Sequence, residues 1–100
     1  MYIKVGPSLH ISLEEETDCK SFKMRVYTQD RQAIAGALAD VGITLDGDHT
    51  WVPPQWVAKQ SRLAGGLEWQ KAFAGMLAYA KSKGWTNELT GAVRAHIEWM

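Results

Sequence analysis

Six residues able to do chemistry fall on the polar phase of three alternating stretches: His10, Arg25, Tyr27, Arg94, His96 and Glu98. Leu9, Ile11 and Leu13 alternate with His10 and Ser12. Phe22, Met24 and Val26 alternate with Lys23, Arg25 and Tyr27. Val93, Ala95, Ile97 and Trp99 alternate with Arg94, His96 and Glu98. Successive side chains of a strand point to opposite faces. If the three stretches share a sheet, one face is apolar and the other collects all six residues with Ser12 and Lys23. Two imidazoles beside arginine and glutamate can bind a small anion or move a proton, because histidine titrates near neutral pH. The same residue types also make an ordinary solvated sheet face.

Other motifs carry less. Asp46-Gly47-Asp48-His49 places two carboxylates two apart, as a hard-cation loop does. Counted from Asp46, the twelfth position of such a loop is Val57, where an acidic ligand is needed. Asp and Gly are also what a tight turn uses for its own backbone. His10, His49 and His96 have no spacing that argues for a shared metal, and no metal site is expected. Cys19 is the single cysteine, so no internal disulfide forms. Glu15, Glu16 and Asp18 offset the cations that would activate its thiol. Gly65-Gly66 lacks the Lys-Ser/Thr of a phosphate loop, no Gly-x-Ser-x-Gly occurs, and no cofactor is expected.

The chain is rich in tryptophan, with five in 100 residues. Trp69 lies on a helical apolar stripe and reads as core; Trp85 reads as a plug at a helix end. Trp51 and Trp56 flank Pro53-Pro54, and with Trp99 they are candidates for an aromatic contact surface, with a second core as the competing role.

The elements that position these residues are partly legible. Trp69, Phe73, Met76, Leu77 and Ala80 give Leu67–Lys83 the stripe of an amphipathic helix. Gly84 can take the left-handed conformation that ends it, with Trp85 folding back on Ala80. Ala33, Ile34, Ala37, Leu38 and Val41 form a second stripe after a cap at Thr28 or Asp30, and Gly42-Ile43 repeats the same stop. Pro53-Pro54 opens a short helix over Gln55–Leu63. Ala72, Gly75 and Tyr79 share a second face of the longer helix, which makes Gly75 an expected close-packing point where leucine would overpack. Tyr2–Val5 reads as a short strand, Thr44–His49 as a turn and Thr50–Val52 as a short extended segment. The two stretches around the polar Glu15–Lys20 loop imply an antiparallel hairpin, with Lys23 and Arg25 near Glu14 or Ser12. Residues 92–99 also allow a helix through Leu89, Val93, Ile97 and Met100, but Gly91 and the β-branched Val93 and Ile97 favour a strand.

A chain of 100 residues is one domain, large enough for a single core. The expected fold is α+β: a small, mainly antiparallel sheet of three to four strands with two or three helices packed on one face. Eleven basic and eleven acidic residues cancel, which argues against a nucleic-acid or membrane partner. No apolar run suits a signal peptide or a membrane span, so a cytoplasmic protein is expected. Two functions fit. One is a non-catalytic interaction module, self-associating as a homodimer and binding a protein partner. The other is a small enzyme or small-molecule-binding protein using the polar sheet face, which requires His10 and His96 to converge.

Overall fold

In the computed structural model, which describes residues 1–100, the fold is α+β with a six-stranded mixed sheet and three helices. In chain order the elements are β1 (Tyr2–Val5), β2 (Ile11–Glu14), β3 (Lys23–Val26), α1 (Arg31–Asp40), β4 (Thr44–Asp46), β5 (His49–Val52), α2 (Pro54–Gln60), α3 (Leu67–Ser82) and β6 (Val93–Trp99). The sheet order is β2-β1-β3-β6-β5-β4. This corrects the expected sheet in two ways. It has six strands rather than three or four, and its centre is parallel: β1 with β3, and β3 with β6. Antiparallel pairs flank that centre.

The expected hairpin between β2 and β3 does not form, because β1 lies between them. The Glu15–Phe22 connection instead crosses the start of β1. It is pinned there twice. The Met1 amino group donates to the Asp18 carbonyl at 2.7 Å, and the Trp69 indole N–H donates to the Glu16 carbonyl at 2.7 Å. Lys23 and Arg25 accordingly meet Glu98 of β6, not Glu14 or Ser12. The segment read as one turn, Thr44–His49, is the first strand and tip of a hairpin that β4 forms with β5. Its two-residue loop is Gly47-Asp48, with Gly47 at φ 61°, the arrangement of a type II′ turn.

The helix stops form as the sequence requires. Gly42 has φ 82°, and the Ile43 N–H donates to the Leu38 carbonyl at 2.9 Å. Gly84 has φ 77°, and the Trp85 N–H donates to the Ala80 carbonyl at 2.9 Å. Asp30 caps α1 by accepting from the Ala33 N–H. Residues 93–99 form a strand.

One core joins the layers. Ile3, Val5, Met24, Val26, Val52 and Ile97 from the sheet pack with Ile34 and Leu38 of α1, Trp56 and Val57 of α2, and Trp69 and Phe73 of α3. All three helices therefore cover the same sheet face. Gly75 is not a packing point: it is exposed, and a Cβ built on it meets nothing within 4 Å. No helix is long and apolar enough to cross a membrane.

Candidate functional site: the open face of the sheet

Strand alternation that sends Ile3, Met24 and Ile97 into the core sends their neighbours to the opposite face, which no helix covers. The register aligns those neighbours into rows. Glu14, Tyr2, Lys23, His96, His49 and Asp46 form one row across all six strands. Ser12, Lys4, Arg25 and Glu98 form the row on one side of it. Arg94, Trp51 and Thr44 form the row on the other side. Trp85 extends that last row, because the Arg94 N–H donates to its carbonyl at 2.8 Å.

Ionic pairing is concentrated at the centre. Glu98 accepts from the Arg25 Nε at 2.9 Å and lies 3.3 Å from the Lys23 Nζ. The Arg25 guanidinium also stacks on the Tyr2 ring, 4.4 Å from its centroid. The hydrogen bond from Arg25, followed by that from Lys23, holds the Glu98 carboxyl below its ordinary range. The bond to Glu98 likewise raises the pKa of Arg25. Tyr27 lies on this face under the Lys4 ammonium, at 5.4 Å.

Of the six candidates, Arg25 and Glu98 are in direct contact, and Arg94 and His96 share a neighbouring part of the same face. His10 stands apart. It lies opposite Gly6, three strands and four residues from His96, or about 20 Å at ordinary strand spacings. His96 has a different imidazole neighbour, His49, with ring centroids 5.3 Å apart and edge-on. The sequence places His49 at the end of the expected Thr44–His49 turn, whereas β5 begins at that residue. Starting the strand at His49 puts it in phase with Trp51, on the polar face.

A cavity of about 200 Å³ opens beside this pair, lined by Phe22, His49, Trp85, Arg94 and His96. Arg94 is half-buried there and belongs to none of the four ion pairs. Trp85, read as a helix-end plug, does close α3 with its backbone, yet its ring walls this cavity and meets Tyr79 edge-on at 5.9 Å.

The three tryptophans considered as a contact surface separate. Trp51 is half-buried on the open face, and its indole N–H donates to Asp46 at 3.2 Å. Trp56 is core. Trp99 is in register with Val26, on the helix-covered side. Its ring lies 4.2 Å from the Arg31 guanidinium, and its N–H donates to Asp48 at 3.1 Å. That bond, and then Arg31, hold the Asp48 carboxyl down. Cys19 lies in the loop beside α3, away from the residues that line this cavity, and burial pushes its thiol up, away from the thiolate a nucleophile needs. Comparison with protein families, curated proteins and solved structures finds no match to this chain.

Proposed function

We propose that the chain is a non-catalytic binding module that engages a protein partner across the open face of its sheet, with a second copy of itself as the first occupant. The observation that supports this is the division of the sheet. One face is sealed by three helices, while the other carries Tyr2, Tyr27, Trp51 and Trp85 interleaved with Lys4, Arg25 and Arg94. Tyrosine, tryptophan and arginine are the residue types that anchor protein contacts. Four cations and three carboxylates lie in the three rows, so the face is nearly neutral and a copy meets little repulsion. Six strands by four residues cover roughly 400 Å² in projection, against about 800 Å² per partner in a stable complex. Reversible association is the mode this size supports. The acid–base alternative loses the pairing of His10 with His96 on which it rested.

Light scattering across a concentration series tests the reading. The expected result is a mass rising toward two chains at high concentration, and Trp51→Ala with Tyr27→Ala holding it at one. The reading fails if the unsubstituted chain stays at one mass throughout and fluorine-labelled Trp51 and Trp85 are as accessible to a paramagnetic quencher in cell extract as in buffer.

A further inference from the structure

The cavity at one end of the open face has a composition that the rest of the face lacks. It is lined by Arg94, a permanent cation that the fold leaves without an ionic partner. His49 and His96, whose ring nitrogens can donate hydrogen bonds, also line it. Its walls are Phe22 and Trp85. The neighbouring cations are already committed: Lys23 and Arg25 to Glu98, and Lys4 to the Tyr27 ring. Charge and shape then select the ligand. One free guanidinium balances one negative charge, and its planar fork matches the two oxygens of a carboxylate. A phosphate dianion needs a second permanent cation, which the cavity does not offer. The aromatic walls suit an apolar group next to the charge, and about 200 Å³ is below the usual range for drug-sized ligands, so that group is small.

We infer that the Phe22–His49–Trp85–Arg94–His96 cavity binds a carboxylate carried on a small apolar or aromatic group. The inference rests on the open face being a binding surface, and it names the chemical feature that surface recognises. The carboxylate has two possible sources: a free organic acid, or the terminal carboxylate of a partner polypeptide ending in an apolar residue. Arg94 provides the ionic contact, the two imidazoles donate to the oxygens, and Trp85 and Phe22 cover the apolar part.

The test is a titration of the isotopically labelled chain with sodium benzoate, benzamide, inorganic phosphate, and a short peptide ending in phenylalanine as free acid or amide, reading the indole N–H resonances. Saturable shifts of Trp85 and Trp51 with benzoate, absent with benzamide at equal concentration, are expected. Arg94→Gln should weaken them by at least about tenfold, as loss of a charge-assisted hydrogen bond does, while leaving the remaining spectrum dispersed. Arg94→Lys, which keeps the charge and loses the fork, should fall between the two. Equal binding of benzoate and the acid peptide supports a free acid; tighter binding of the acid peptide than of its amide and of benzoate supports a partner's chain terminus. Absence of a saturable shift with any carboxylate, tighter binding of phosphate, or unchanged binding in Arg94→Gln would each overturn the inference. Concentration-dependent mass in a chain that binds no carboxylate would remove the cavity's role and leave the binding module standing.

Discussion

Glu98 is the residue on which the centre of the open face depends. It is the one carboxylate shared by Arg25 and Lys23, and both cations lower its pKa from the ordinary 4.5. A carboxyl with a depressed folded pKa contributes stability that is fully present above its unfolded value and is lost as the pH falls through the folded one. Glu98→Gln is therefore expected to be less stable than the parent by a constant amount from neutral pH down to about 4.5, with the difference shrinking on further acidification. Urea unfolding at a series of pH values measures this. A gap that persists unchanged well below pH 4 assigns the effect to packing rather than charge. Arg25 also stacks on Tyr2, so Arg25→Lys, which keeps the cation and loses the plane, should disturb the Tyr2 ring more than Glu98→Gln does.

At the scale of elements, α3 carries a removable cost. Gly75 lies mid-helix, exposed, with open space where a Cβ would stand. Gly75→Ala should stabilise the chain by about 0.5–1 kcal/mol through helix propensity and lost unfolded-state freedom, seen as a raised urea midpoint at unchanged slope. Gly36 in α1 is equally open, and the two changes should add. Helix stripes and their Gly42 and Gly84 stops are local patterns, readable from a few consecutive residues. The alternation of Lys23–Val26 and Val93–Trp99 is also local, and it assigned each strand residue to the correct face. Alternation says nothing about which strand lies beside which. The faces were therefore right while the neighbour of β3 was wrong, and Glu98, not Glu14, became the partner of Arg25. Thr44–Asp46 left no signal because an edge strand with Thr44 and Asp46 exposed has only Leu45 to alternate. The Arg94 cavity was illegible for the same reason as the sheet order: its walls come from residues 22, 49, 85, 94 and 96, joined only by pairing.

The whole molecule is two-layered, with helices, core and one sheet face forming a closed body and the second sheet face left to solvent. Protection of backbone amides should follow this plan. Exchange is expected to be slowest in β3 and β6, which have strands on both sides and Met24, Val26, Ala95 and Ile97 beneath them, and fastest in the edge strands β2 and β4. Native-state hydrogen exchange read by mass spectrometry tests it, and equal protection of β2 and β6 would contradict the plan. The central place of β6 has a further consequence, in the order of assembly. Strands β2, β1 and β3 form one half of the sheet, β5 and β4 the other, and β6, last in sequence, is the only strand that touches both. Until residues 93–99 are available to a nascent chain, neither β3 nor β5 has its native partner on its inner edge. Every native pairing across the middle spans at least 40 residues, so loop closure slows folding. Until that strand seats, the unpaired edges of β3 and β5 can template pairing with another chain, an aggregation hazard that is greatest when many copies are made at once.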